Sequence, residues 1–278
     1  MLCEDCSQHG KEDGSSVTLN VCGVSFGYTS EDTLKKIDIT ANKGEFIALM
    51  GPNGSGKTTL LRCINKLLAI REGDIQLGES NIRLMTMLEI ARICTTVPAD
   101  TPLDFSLTTK DFVTLGRSPY IKNWWWEDPE DEQKVDSAMR EFDILKYADR
   151  RLNQLSSGER ARALLAKGVV QEPKVMLVDE PSAHLDIKYK IQVMEMLRDL
   201  SRRGITVIMA SHDINLLTRY CDKIMLLGKG RILNYGAPSE VVTEESIRNI
   251  FEVDVTLVNV GGIVYIVPKA PVEGEGPF

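Results

Sequence analysis

Short apolar runs bounded by glycine alternate along this chain with longer segments whose leucines recur every three or four residues. "VTLNVCGVSFGY" (17–28) alternates apolar and polar positions and predicts a strand that enters a turn. "GEFIALM" (44–50) is apolar without interruption, as a strand buried on both faces should be. From Thr59 to Ile70, the residues Leu60, Leu61, Ile64, Leu67 and Leu68 fall at helical spacing. "KVMLVDE" (174–180) and "GITVIMASHD" (204–213) repeat the buried-strand pattern, each with a helical pattern behind it. "KIMLLGKGRILNYG" (223–236) predicts a hairpin around Gly228 to Gly230. Such alternation of strand and helix predicts an α/β fold whose mainly parallel sheet is covered on both faces.

Between about residue 100 and residue 157 the apolar strand runs give way to helical patterns, which marks an inserted helical subdomain. Beyond "SEVVTEESIRNIF" the segment "VDVTLVNVGGIVYIVPKA" (253–270) predicts a two-stranded hairpin turning at Gly261-Gly262. The expected organisation is a disordered tail over 1–16, a main domain over 17–252 and a C-terminal hairpin extension over 253–278.

Composition narrows the function classes. The chain has 278 residues, 43% hydrophobic and 26% charged, enough to bury a sizeable core without disulfides. A net charge of -7 argues against a nucleic-acid binder, which carries a basic footprint. No apolar run approaches the ~18 residues of a membrane-spanning helix, and "MLCEDCSQHG" lacks the basic and apolar regions of a signal peptide. A soluble, cytosolic chain is expected. Of the six cysteines only Cys3 and Cys6 are paired by spacing. With His9 they reach three ligands, one short of a closed structural metal site.

"GPNGSGKT" fits the pattern Gly-x4-Gly-Lys-Thr, with a buried strand before it and a helix after it. Gly51, Gly54 and Gly56 let the backbone curl so that successive N–H groups face phosphate oxygens. Pro52, Asn53, Ser55 and Thr59 complete the loop. Lys57 reaches the β and γ phosphates, and the Thr58 hydroxyl is placed to ligate magnesium. Chemistry in such folds gathers at the carboxyl ends of neighbouring strands. "VMLVDE" ends there in Asp179, a candidate metal ligand, and Glu180, a candidate general base. Service at the start of the next helix is the plainer role for both acids. His212 ends another strand, in "MASHD", followed by a possible N-cap in Asp213.

A second anion site is written into "LNQLSSGERARA" (152–163), where serines and a glycine precede a helical pattern. Together, "GPNGSGKTT", "LSSGE", "VMLVDEPSAHLD" and "ASHD" resemble the nucleotide-binding subunit of an ATP-binding cassette (ABC) transporter, over roughly Val17 to Phe251. The resemblance implies a P-loop NTPase (RecA-like) core, an N-terminal antiparallel β subdomain and the helical insertion. It also implies ATP and Mg2+ as cofactors, and two subunits that sandwich two ATPs head to tail. The two half-sites in one chain then serve two different nucleotides.

By the same resemblance Tyr28 stacks on adenine, Ser156, Ser157, Gly158 and Glu159 form the signature loop, and Asp186 belongs to a loop at the dimer interface. Glu180, His212 and Lys57 are the implied catalytic set, with His212 on the γ-phosphate. Two departures stand out. Ser157 replaces a family glycine, and Ala99 stands in "TTVPADTP" where the family has a glutamine, with Thr108 at the distance of the next family mark. A methyl group neither ligates magnesium nor hydrogen-bonds water, so slower or less tightly coupled hydrolysis is expected unless Asp100 or a bound water substitutes.

"DFVTLGRSPY", "EDPEDEQKVDSA" and "PSEVVTEESIRNIF" look most like importer subunits for iron–siderophore, haem or cobalamin complexes. Those partner a membrane permease, and indirectly a substrate-binding protein, at the cytoplasmic face of the membrane. Three adjacent tryptophans in "NWWWED" are candidates for that interface, although a helix would point them in different directions. Two other classes stay open: a soluble non-transport ABC ATPase, and a weakly catalytic interaction subunit that binds ATP as a structural ligand.

Overall fold

The apolar run behind Gly44 becomes the strand around which the layers are built. A computed structural model of the chain describes residues 16–99, 107–121, 128–181 and 185–272. In chain order the elements are β1 (Val17–Phe26), β2 (Leu34–Asn42), β3 (Phe46–Met50), α1 (Lys57–Ile64), β4 (Glu72–Leu77), β5 (Ser80–Asn81), α2 (Met87–Ala91), β6 (Cys94–Val97), α3 (Thr109–Thr114), α4 (Pro129–Glu141) and α5 (Ser157–Val170). There follow β7 (Val175–Asp179), α6 (Ile187–Arg202), β8 (Thr206–Ala210), α7 (Ile214–Tyr220), β9 (Lys223–Gly228), β10 (Arg231–Gly236), α8 (Pro238–Val241), α9 (Glu244–Phe251), β11 (Val253–Val260) and β12 (Ile263–Pro271).

The central sheet runs β10-β9-β3-β8-β7-β6, parallel except for β10, which folds back antiparallel on β9. All five residues of β3 are fully buried. Phe46, Ala48 and Met50 enter one core with the helical segment and the C-terminal elements, while Ile47 and Leu49 enter a second core with β1, β2, β4 and α1. Period-two alternation thus ties both cores to one strand, and each large side chain so buried contributes about 1.5–3 kcal/mol. The second core is roofed by the antiparallel sheet β2-β1-β4-β5. The expected strands at 223–236 and 253–270 form the β9–β10 and β11–β12 hairpins.

The first helix is shorter than its leucines imply. It ends at Ile64, because Asn65 caps it and Lys66 takes φ 61°. Leu67 is then left exposed although it continues the helical spacing. Between β6 and β7 the described residues are helical, with α3, α4 and α5 packed on one another. Cys63 and Cys94 lie in the interior, where burial pushes each thiol up to about 12 and away from reactivity. Cys3, Cys6 and His9 lie outside the described residues, as do Asp100 and the three tryptophans.

Candidate active site

The P-loop leaves β3 through a passage that admits no side chain. A Cβ on Gly51 would stand 2.1 Å from the Leu227 carbonyl oxygen. Gly54 and Gly56 take φ values of 77° and 107°, in the left-handed region that favours glycine. Gly56 occupies the N-cap of α1 and offers no side-chain bond to the helix N–H groups. Pro52 and Thr58 are half-buried, Asn53 is exposed, and Thr59 is buried. The Ser55 hydroxyl is buried and has no hydrogen-bond partner among the described residues. Lys57 folds over the loop and donates to the carbonyls of Gly51 (2.7 Å) and Pro52 (3.1 Å). Burial lowers the pKa of its ammonium, and the Glu180 and Asp179 carboxylates act in the opposite sense.

Sheet register brings the other strand ends level with this loop. Leu49 of β3 pairs with Ala210 of β8, and Ala210 pairs with Asp179 of β7, so the three stand in one row. The next residues diverge from the ladder but stay tied to it. Ser211 N–H donates to the Leu49 carbonyl at 3.2 Å, and Glu180 N–H to the Ala210 carbonyl at 2.9 Å. Glu180 holds φ 46°, a left-handed conformation that costs a non-glycine residue on the order of 1 kcal/mol or more. His212 Nδ1 lies 2.8 Å from Glu180 Oε2, an ion pair when the imidazole is protonated. The acids and the histidine chosen from the sequence are therefore neighbours.

Tyr28 stands 59% exposed on the loop after β1, its ring edge-on to Phe26 and its hydroxyl 3.4 Å from Thr59 Oγ1. A residue the sequence reading passed over shapes this loop. Arg71 donates to the carbonyls of Gly27, Thr29 and Ser30 and pairs with Asp32 at 2.9 Å. An arginine ending a run of leucines gives no periodic sign of that role.

The second motif forms the start of α5. Ser156 is its N-cap: Glu159 N–H donates to Ser156 Oγ (3.3 Å), and Ser156 N–H donates to Glu159 Oε2 (2.8 Å). This is a reciprocal capping box. The Ser156 N–H and then the Tyr147 hydroxyl hold the Glu159 carboxyl below its ordinary range. Ser156 and Ser157 are exposed and Gly158 is buried. Ser157 is the first helical residue, with no positive φ, so a serine fits where the family has glycine. A Cβ on Gly158 would lie 2.5 Å from Tyr189 Cδ1. Asp186 is the N-cap of α6 by position, exposed, with no side-chain bond to the helix. Among the described residues, no hydrogen bond or ion pair joins this set to the P-loop.

A cation here finds few protein donors. The Thr58 hydroxyl and the Asp179 carboxylate are available, and no group of three or more His, Cys, Asp or Glu suited to a metal occurs among the described residues. So sparse a set fits magnesium, which keeps water and phosphate oxygens around it. Ala99 is exposed just beyond the edge strand β6, whose Val97 pairs with Val178 beside Asp179. Thr108 is the N-cap of α3, in a capping box with Asp111.

Comparison with known families decides between these chemistries: residues 34–183 match the family described as ABC transporter. The chain belongs to that family. It is an ATP-binding ATPase of the ABC type, with the P-loop NTPase fold. The petrobactin import ATP-binding protein of Bacillus anthracis is 34% identical over 253 residues, covering 90% of this chain and 93% of that protein. The hemin import ATP-binding protein of Rhodococcus jostii (strain RHA1) is 32% identical over 256 residues, covering 91% and 87%. Among solved structures, cbiO1 from Clostridium perfringens, part of the ABC transporter complex cbiONQ, superposes with a TM-score of 0.73. It is 30% identical and covers 84% of this chain and 94% of its own. No helix among the described residues is long and apolar enough to cross a membrane.

Proposed function

We propose that this chain is the ATP-hydrolysing subunit of an importer, dimerising on ATP to drive uptake of an iron–siderophore, haem or cobalamin-type complex through a separate permease. It would sit at the cytoplasmic face of the membrane, with a substrate-binding protein as an indirect partner. The import names of its relatives support the direction and the class of cargo. One observation carries the two-subunit reading: the chain owns a P-loop enclosed by its own fold, and a second helix start whose Ser156 and Ser157 face solvent. A γ-phosphate bound by Lys57 of one protomer and by Ser156 of its partner makes closure depend on ATP, and its loss on hydrolysis removes that contact.

In this scheme Lys57 exchanges the loop carbonyls for phosphate oxygens, and the unpartnered Ser55 hydroxyl and the loop N–H groups add donors. Magnesium, held by Thr58 and through Asp179, would neutralise phosphate charge. Glu180 polarises the attacking water, and its strained backbone fixes the carboxylate beside His212. Tyr28 supplies the face on which adenine stacks.

Replacing Glu180 by Gln removes the base while keeping the shape. Hydrolysis should fall by about a hundred- to ten-thousand-fold, and the variant with Mg-ATP should run as a twofold assembly in light scattering. A strictly monomeric particle at saturating Mg-ATP, even with the permease present, sinks the proposal. Copurification with a multi-span membrane subunit separates it from a soluble ATPase. Restoring the family glutamine, Ala99→Gln, should raise ATP turnover several-fold, within the range of one added positioning contact; unchanged ATPase and transport rates refute that role for position 99.

A further inference from the structure

The first turn of α6 touches both ends of the machinery just described. Tyr189 lays its ring on Gly158 of the signature loop, so closely that a Cβ there would meet three ring carbons at 2.5, 2.7 and 2.9 Å. The next residue, Lys190, reaches in another direction and pairs with Asp213 at 3.1 Å. Asp213 follows His212, whose imidazole contacts Glu180. Both Tyr189 and Lys190 are tied at the backbone, their N–H groups donating to the Asp186 carbonyl at 2.9 and 3.0 Å. Neither contact offers slack: one is ring against backbone with no intervening side chain, the other an ion pair between half-buried groups.

We infer that Tyr189 and Lys190 are positioning residues that couple a chain's own γ-phosphate site to the signature loop it lends to its partner. A shift of the His212–Asp213 segment pulls on Lys190. The first turn of α6 carries Tyr189 with it, and the ring pushes or releases Gly158. Each protomer thereby reports its own nucleotide state to the site on the other side of the dimer. Because two packed elements respond as discrete arrangements, the consequence is cooperativity between the two ATP sites. This inference rests on the two-subunit reading above, and its test keeps the two apart.

The experiment compares steady-state ATP hydrolysis of the intact protein with Tyr189→Ala, Tyr189→Phe and Lys190→Met. Wild type should give a Hill coefficient above 1. Tyr189→Ala and Lys190→Met should bring it to about 1 and lower turnover by roughly fivefold or more, the low end of ordinary site-to-site coupling. Binding of a fluorescent ATP analogue to the monomer should stay unchanged in both variants. Tyr189→Phe keeps the ring and should keep the cooperativity. As a control for folding, Gly158→Ala should lower the melting temperature, and Tyr189→Ala in the same chain should restore part of it, since the clash needs both partners. A dimeric Tyr189→Ala variant with the wild-type Hill coefficient, or a dimeric wild type that is itself non-cooperative, overturns the coupling and leaves the two-subunit reading standing. Failure of the Glu180→Gln variant to dimerise removes that reading, and this inference with it.

Discussion

The two motifs proposed to bind phosphate in this chain are built at different depths. The P-loop is enclosed at its base: a Cβ on Gly51 would stand 2.1 Å from the Leu227 carbonyl oxygen, one on Gly56 would stand 2.7 Å from Leu34 Cδ2, and the Lys57 amine is satisfied by the loop's own carbonyls, while Asn53 and Gly54 at the tip are exposed. The signature loop is an ordinary helix start with serines in solvent and a capping box behind them. The first is shaped by backbone constraint imposed from the surrounding sheet. The second needs only local hydrogen bonds, and its outer face is left for something else to complete. A site made by enclosure is specific before any partner arrives, whereas a site made by a helix terminus acquires specificity from what is pressed against it.

This difference predicts unequal damage. Gly51→Ala should strike hardest, because no rearrangement of a flexible side chain relieves a 2.1 Å contact with a backbone oxygen. A loss of about 2–3 kcal/mol is expected for such overpacking, read as a fall in melting temperature of about 2–4 °C per kcal/mol for a chain of this size. Nucleotide binding should be lost with it. A variant that melts like wild type and still binds ATP would falsify the claim that enclosure shapes this loop. At the other motif Ser156→Ala removes a cap and, with it, the hydroxyl proposed to meet the partner's γ-phosphate. It should cost about 1 kcal/mol, leave binding of one nucleotide to the monomer intact, and abolish ATP-dependent dimerisation in the Glu180→Gln background.

Legibility in the sequence follows the same division. Gly51 to Thr58 and Ser156 to Glu159 are both short motifs whose residue types state their chemistry, and both lie where the strand–helix pattern puts them. What stayed hidden depends on contacts between distant segments. From Ile37 to Asn42, β2 alternates buried apolar with polar positions as β1 does, but the paired lysines before it interrupt that period, and β4 is a weak signal because it buries only Ile75 and Leu77. β6 is a four-residue edge strand with two threonines. The first helix ends six residues short of Ile70, where its spacing would carry it, since Leu67 and Leu68 keep the period while Lys66 breaks the backbone. The left-handed Glu180, the Arg71 clamp on the Tyr28 loop and the Tyr189–Gly158 contact arise from tertiary packing, to which periodicity is blind.

The smallest effect separates the charge of the capping box from its geometry. Glu159→Gln keeps an acceptor for the Ser156 N–H but removes the negative charge from the N-terminus of α5. Because the folded protein holds the Glu159 carboxyl below its ordinary value of 4.5, the folded state binds its proton less tightly than the unfolded chain does. The stability so gained is fully present above pH 4.5 and is lost as the pH falls through the lower folded-state value. Glu159→Gln should therefore be less stable than wild type at pH 7, by about 0.3–1 kcal/mol at low salt. The two denaturant-unfolding curves should converge as the pH is lowered below the glutamate range. Raising the ionic strength at pH 7 should shrink the gap as well, because this helix start is open to solvent. The same titration and salt series on Lys57 variants should show far weaker salt dependence, since that ammonium is bonded inside its loop; equal salt dependence at both motifs would contradict the contrast between an enclosed and an open site.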